Sequence, residues 1–291
     1  FAMELVPRIT RAQSMDALSS QSNLAGYRAV MEGALIYGRA MPMMMTAAGT
    51  VAPAKVFIMG AGVAGLQAIA TARRLGGVVT ATDVRPAAKE QVASLGAKFI
   101  AVEDDEFEAA ETAGGYAKQM SQAFIDAEMA LFLEQAKEVD IIITTALIPG
   151  RPAPKLITEA MVKAMKPGSV VVDLAAPNGG NCECTVKDEI VIAHEVKIIG
   201  YTNLAARAAN QASTLLSNNV FSLIGHLCPN KDGLLNIDLA DEITRGCTVA
   251  HEKDILWPPP APQLSAAPAK PAAAPAAPVV EKVKKAQPIV L

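Results

Sequence analysis

Three glycines and an aspartate offer the first recognisable chemistry in this 291-residue chain. Gly60-Ala61-Gly62-Val63-Ala64-Gly65 follows the apolar run Val56 to Met59, and Leu66, Ile69, Ala70 and Arg73 to Leu75 continue at helical spacing. Strand, tight turn and helix in that order make the first unit of a dinucleotide-binding fold. Gly60 allows the turn, Gly62 lets a pyrophosphate approach the backbone, and Gly65 lets the helix pack close to the strand. The phosphates then meet free N–H groups at the positive end of the helix dipole. Glycines also mark ordinary turns, so the reading depends on the next strand. That second strand, Val78 to Asp83, ends in an acid at about the 20-residue spacing of a ribose contact. Asp83 would accept hydrogen bonds from ribose hydroxyls and repel a 2′-phosphate, which favours NAD over NADP. Arg85, just beyond Val84, tempers that preference because an arginine there can receive the phosphate.

A second polar group lies earlier, in Arg11 to Asn23. Read as a helix, Gln13, Asp16 and Ser19 recur every three residues along one side. One acid and few long charged residues suit a surface that holds an amide-bearing ligand such as nicotinamide. An exposed helix start with Ser and Asp caps fits the pattern equally well. Hydride transfer to a carbonyl needs a proton donor near the substrate, usually His or Lys. The three histidines, His194, His226 and His251, come late and away from these motifs, and read as surface or packing residues.

The elements that must position these groups alternate strand and helix over residues 55–200, which implies an α/β fold with a parallel sheet. Residues 1–6 read as the end of a strand, and 24–40 as a long helix feeding the nucleotide domain. Met41 to Gly49 is a loop. Pro86 to Leu95 is a short helix and Lys98 to Val102 a third strand. Gly114-Gly115-Tyr116, after the acidic stretch 103–111, suggests either a loop that closes over a ligand or an ordinary surface excursion. Residues 117–138 are helical, and Val139 to Thr145 is a buried fourth strand. Leu147 follows its carboxyl end, where ligands bind in doubly wound sheets, and is a candidate wall of the nicotinamide pocket. A helix from Pro154 or Lys155 to Met165, a fifth strand at 169–175, a loop at Pro177 to Asn181 that again lies at the ligand edge, a sixth strand at 196–199 and a long helix at 204–227 complete the order.

Half the residues are apolar, enough for a sizeable core. The net charge of −3, with few aromatics and no basic stripe, gives no reason to expect a nucleic-acid partner. The four cysteines form no C-x-x-C pair, which favours a reducing compartment; Cys182-Glu183-Cys184 reads as a plain loop rather than a metal clip. No apolar run approaches the ~18–20 residues of a membrane span. The Pro/Ala-rich stretch 258–278 reads as a disordered linker. Lys282, Lys284 and Lys285 beyond it suit a solvated tail or contact with acidic lipid. A start at Phe1, in what looks like mid-domain sequence, suggests an N-terminal truncation.

Taken together, Pro7 to Asp16, Ser19 to Arg28, the glycine fingerprint, Asp83-Val84-Arg85, Glu111 to Lys118 and Thr144 to Pro154 closely resemble the NAD(H)-binding component of proton-translocating NAD(P) transhydrogenase, in the alanine dehydrogenase/transhydrogenase family. The resemblance runs from Phe1 to about Trp257. It implies that Arg8, Gln13, Asp16 and Ser19 contact the nicotinamide end and serve hydride transfer. It implies that Gly60, Gly62, Val63, Ala64, Gly65, Asp83, Val84, Arg85, Gly115, Tyr116 and Leu147 hold the rest of NAD(H), with the Tyr116 loop closing over it. It also implies NADP(H) on a partner component, a membrane-spanning component coupled to proton movement, and a homodimer of this component. The location implied is the cytoplasmic face of a bacterial inner membrane or the matrix side of a mitochondrial one. Family members begin with a further lobe, so the expected architecture is a Rossmann-type doubly wound sheet with remnants of a second α/β lobe, incomplete at the N-terminus. The expected segments are 1–40 (first lobe and connecting helix), 41–203 (nucleotide domain), 204–257 (return to the first lobe) and 258–291 (linker). The alternatives are an alanine-dehydrogenase-like oxidoreductase, which would need a Lys and a His from the lobe this chain lacks, and a non-catalytic NAD-sensing module.

Overall fold

The computed structural model describes residues 1–102, 107, 121–147 and 152–258. Its centre is a sheet of seven strands: β3 (Lys55–Met59), β4 (Val78–Thr82), β5 (Lys98–Phe99), β6 (Ile141–Thr144), β7 (Val170–Asp173), β8 (Ile190–Ala193) and β9 (Val196–Ile199). Their order across the sheet is β5-β4-β3-β6-β7-β9-β8. Every pairing is parallel except β8 with β9. From β3 the chain moves outward through β4 to β5, then returns to place β6 on the other side of β3. The strand order reverses there, and a crevice opens at the carboxyl ends of β3 and β6.

The strands are apolar on both faces because both are covered. Val56, Ile58, Val79, Ala81, Ile141, Ile143, Val170 and Val172 pack with helices α1 (Ala17–Tyr37), α2 (Val63–Arg74) and α3 (Ala88–Ser94). The alternate residues Phe57, Met59, Ile142, Val171 and Ile198 pack with Phe132 and Ala136 of α4 (Gln122–Glu138) and Met161 and Val162 of α5 (Glu159–Ala164). The period of two assigns each residue to one layer. A third apolar cluster lies elsewhere, where Val6, Ala12 and Met15 meet Leu223 and Leu227 of α6 (Ala209–Leu227) and Ile243 and Cys247 of α7 (Glu242–Cys247).

Several elements depart from the sequence reading. Residues 1–6 form no strand; Met3–Leu5 is a 3₁₀ turn, and Val6 is drawn into the third cluster. The polar stretch is not one helix. A 3₁₀ turn, Thr10–Met15, ends at Asp16, which caps α1. The helix expected from 154 or 155 starts only at Glu159, because the Leu156 and Ile157 amides bond instead to the Asn181 carbonyl. The third strand is just two residues long, and a 3₁₀ turn, Ala205–Ala208, precedes α6. The Met41–Gly49 loop includes half of an exposed hairpin, β1 (Met44–Thr46) with β2 (Gly49–Val51). Strand β8 was not foreseen. It joins β9 through His194 and Glu195, both at positive φ (49° and 63°), the geometry of a type I′ hairpin turn made without the usual Asn-Gly signal. A second small hairpin, β10 (Ala250–His251) with β11 (Asp254–Ile255), turns in the same way through Glu252 and Lys253.

Candidate functional site

The glycine turn sits at the crevice. Gly60 has φ +99°, and a Cβ there would lie 2.5 Å from Thr145 Oγ1, just beyond β6. Thr145 Oγ1 donates to the carbonyls of Met59 and Gly60 (3.2 and 3.1 Å), joining the two strand ends. Gly65 packs its Cα against the Gly60 carbonyl so closely that a Cβ would stand 1.8 Å from it. Gly62 is the N-cap of α2, and a Cβ there would meet nothing within 4 Å. The fold itself therefore makes no steric demand for glycine at 62; a ligand approaching the backbone would. The amides of Val63, Ala64 and Gly65 have no intrahelical acceptor, as at the start of any helix.

Asp83 is buried at the end of β4. Its Oδ2 accepts from the Ala61 amide at 2.7 Å and from Arg85 Nη2 at 3.0 Å, and its Oδ1 from Arg85 N and Nε at 2.9 and 2.8 Å. The carboxylate thus ties the glycine turn to β4, and Arg85 folds back on it rather than reaching outward. A ribose at this position would share Asp83 with Arg85. Val63, Val84 and Leu147 are 37%, 38% and 49% exposed. They follow the ends of β3, β4 and β6, neighbouring strands about 4.8 Å apart, and so give this edge an apolar surface suited to flat rings.

Helix α1 links this turn to the second polar group. Gly26 meets the start of α2 so closely that a Cβ would be 2.0 Å from the Ala64 carbonyl oxygen. Ser19 is seven residues earlier on the same helix, about 10 Å along its axis at 1.5 Å per residue. There Asp16 Oδ1 accepts from the Ser19 amide (2.8 Å), and Oδ2 from Ser19 Oγ (2.6 Å) and Arg8 Nε (3.4 Å). Arg8 Nη2 also donates to Ser19 Oγ at 2.8 Å. Burial pushes the Asp16 carboxyl up, but the Ser19 bonds and the Arg8 charge outweigh it and hold Asp16 below the usual carboxylate range. Gln13 is exposed beside this cluster. Arg8, Asp16 and Ser19 are therefore brought together, while Gln13 adjoins them with its amide free to face solvent. Gly115 and Tyr116 lie outside the described residues.

Sequence reasoning placed the Pro177–Asn181 loop at the ligand edge but singled out none of the side chains that hold it there. Asp173, wholly buried at the end of β7, accepts from Thr144 Oγ1, Ala175 N, Cys182 N and Thr185 Oγ1 (3.1, 2.9, 3.0 and 2.6 Å). Asn181, also wholly buried, donates to the Ala146 and Pro154 carbonyls and accepts from the Ala146 amide, fastening the segment after β6 to the loop after β7. Lys155 Nζ donates to the Gly179 and Gly180 carbonyls. A strand ending in an acid, as at Asp83, was the available signal for Asp173. Burial pushes the Cys182 thiol up to about 12, so it is an unreactive packing residue.

The comparisons with known proteins agree with this fold. The family model described as alanine dehydrogenase/PNT, C-terminal domain, matches residues 29–258, and the chain belongs to that family. It is 56% identical over 258 residues to the first part of the NAD(P) transhydrogenase subunit alpha of Rhodospirillum rubrum, covering 89% of this chain and 67% of that one. It is 52% identical over 289 residues to the NAD(P) transhydrogenase subunit alpha of Cereibacter sphaeroides, covering 99% of this chain and 54% of the relative. The chain thus spans about two thirds of one relative and about half of the other. Among solved structures, the transhydrogenase from Sinorhizobium meliloti superposes with a TM-score of 0.78 at 54% identity, over 88% of this chain and 67% of that one. An L-alanine dehydrogenase superposes with a TM-score of 0.69 at 23% identity, over 88% and 66%, and shares the fold.

Proposed function

We propose that this chain is the NAD(H)-binding part of a proton-translocating NAD(P) transhydrogenase, in which hydride passes directly between NADH held here and NADP⁺ held by a partner component. The observation that carries the reading is α1. One helix docks on the glycine turn through Gly26 and presents the Arg8–Asp16–Ser19 cluster from its N-terminus, so the two ends of a dinucleotide site share a single rigid support. The residues present fit the cofactor. Gly62 leaves backbone approach open, the first amides of α2 suit a pyrophosphate, Asp83 with Arg85 suits the adenosine ribose, and Val63, Val84 and Leu147 suit ring faces.

When bound, NAD(H) supplies the hydride. The chain's own residues bind and orient. Arg8, Gln13, Asp16 and Ser19 hold the carboxamide and its ribose. Asp16 is kept ionised by Ser19 and Arg8, so at neutral pH it is an acceptor and not a proton donor. Among the described residues, no histidine bonds to Arg8, Asp16 or Ser19: His194 pairs with Glu159, and His226 with Asp241, which also holds Arg11. That suits transfer between two nicotinamide rings, in which no proton moves and alignment supplies the catalysis. In the same reading residues 41–203 are the nucleotide domain, and 1–40 with 204–257 belong to a second lobe. The component works as a homodimer against an NADP(H)-binding component and a membrane-spanning one, on the cytoplasmic or matrix face. No helix among the described residues is long and apolar enough to cross a membrane.

The test is to supply NADH and an NADP-loaded partner component, with no other substrate, and follow formation of reduced NADP. Rapid formation is expected. No transfer, with turnover appearing on addition of pyruvate and ammonium, would make the protein an alanine-dehydrogenase-like oxidoreductase. Binding of NADH with no transfer to either would leave a sensing module.

A further inference from the structure

The segment that carries Arg8, Gln13 and Asp16 has little internal structure to hold it. Residues Thr10–Met15 form a single 3₁₀ stretch without a side-chain cap. Its position is set from elsewhere. Asn219, buried in α6, donates from Nδ2 to the Ser14 carbonyl at 2.8 Å and accepts at Oδ1 from Ser20 Oγ at 2.7 Å. Asp241, the cap of α7, accepts from Arg11 Nη2 at 2.6 Å through Oδ2. Its Oδ1 accepts from the Ile243 and Thr244 amides and pairs with His226 Nε2 at 3.0 Å. Ala12 and Met15 are buried against Leu223, Leu227 and Ile243 between these points. The segment is therefore fastened at Arg11, Ser14 and Ser20, on both sides of Gln13 and Asp16.

We propose that Asn219, supported by the Asp241–Arg11 pair, is a positioning residue for hydride transfer: it sets how the Gln13–Ser19 turn is presented to the nicotinamide without touching the ligand. The requirement for asparagine is chemical. The Ser14 carbonyl needs a donor, and toward the Ser20 hydroxyl Asn219 accepts through Oδ1, so the amide fills both roles. Aspartate would set a carboxylate against the Ser14 carbonyl, and alanine would take away the donor to that carbonyl, while Ser20 Oγ keeps the Ala17 carbonyl and Gln21 Nε2. This rests on the reading that residues 8–19 hold the nicotinamide end.

The experiment compares Asn219→Ala and Asn219→Asp with Gln13→Ala in the assembled enzyme. It measures NADH affinity, the transfer rate at saturating NADH, and melting temperature. A displaced reacting group slows the step on the order of 10- to 100-fold. Both Asn219 variants should therefore lose transfer to that extent while NADH affinity stays within about threefold, the split expected of an interaction that serves the transition state. Unchanged transfer at saturation would overturn the proposal, as would transfer and affinity falling together in step with the melting temperature. If Gln13→Ala slows transfer and the Asn219 variants do not, this inference alone falls. If Gln13→Ala also leaves transfer unchanged, the assignment of the segment to nicotinamide falls first. Ser20→Ala keeps the test open should Asn219 variants fail to fold. It removes one partner of Asn219 with little change of volume, and should slow transfer at unchanged affinity; full-speed transfer in it would count against the proposal.

Discussion

Gly62 and Gly65, three residues apart, should respond in opposite ways to the same added methyl. Gly62 has φ −73° and ψ −168°, a conformation open to any L-residue, and a Cβ there has no neighbour within 4 Å. Replacing glycine at a compatible position stabilises by about 0.4–1 kcal/mol through the unfolded state. Alanine is a poorer N-cap than glycine by roughly 0.5–1 kcal/mol. The two nearly cancel, so Gly62→Ala should move the melting temperature by about 2 °C or less. If phosphates approach this backbone, the methyl stands where they must sit, and overpacking of about 1–3 kcal/mol becomes a roughly 5- to 150-fold rise in the NADH Kd. Calorimetric or fluorescence titration of NADH, alongside a thermal melt, reads both quantities. An unchanged Kd would refute the reasoning and remove the turn from the binding site. A fall of more than ~5 °C in the melting temperature would show that Gly62 serves the fold after all. Gly65→Ala is the contrast: its Cβ would sit 1.8 Å from the Gly60 carbonyl oxygen, so the fold itself should suffer.

Asp83→Ala should weaken NADH binding and relax discrimination against NADPH, because it removes the ribose acceptor and the negative charge that repels a 2′-phosphate; unchanged titrations with both nucleotides would take Asp83 out of the site. Gly26→Ala would set a Cβ 2.0 Å from the Ala64 carbonyl oxygen, forcing α1 and α2 apart, and should lower stability by about 1–3 kcal/mol, with NADH affinity falling too; urea midpoints and titration would detect both. Burial pushes the Asp241 carboxyl up, but the Thr244 amide, Arg11 and His226 pull it well below the usual carboxylate range. A carboxyl lowered on folding stabilises fully above its unfolded pKa, about 3.9, and loses that contribution as pH falls through the folded value. Asp241→Asn should therefore lose less melting temperature than the parent on going from about pH 4 to pH 2, and equal losses would show that Asp241 is not a source of the acid sensitivity.

The nucleotide half of the molecule was legible because its signals are local. A β-branched run, three glycines at fixed offsets and an acid at the end of the next strand each report on their own few residues. The sheet followed from them, apart from β8, whose turn uses His194 and Glu195 at positive φ; nothing in those residue types marks an I′ turn. The polar segment was less legible. A three-residue spacing read as one helix is in fact a 3₁₀ turn and a capped helix meeting at Asp16, because partners about 200 residues away, Asn219 and Asp241, decide its path. The loop ending at Asn181 was placed at the ligand edge, but the bonds of Asp173 and Asn181 were not legible for the same reason: their partners are brought close only by the packed sheet edge.

The span of α1 between its two contacts has a further consequence. An α-helix turns by roughly 100° per residue, so the seven steps from Ser19 to Gly26 fall only about 20° short of two full revolutions. The two residues consequently point nearly the same way, and the polar cluster faces the side on which the glycine turn lies. The site is thus set by helical phase. Lengthening or shortening this stretch by one residue would swing the cluster by roughly 100° while shifting it only about 1.5 Å. The stretch of α1 between these points is therefore constrained in residue number as well as in residue type.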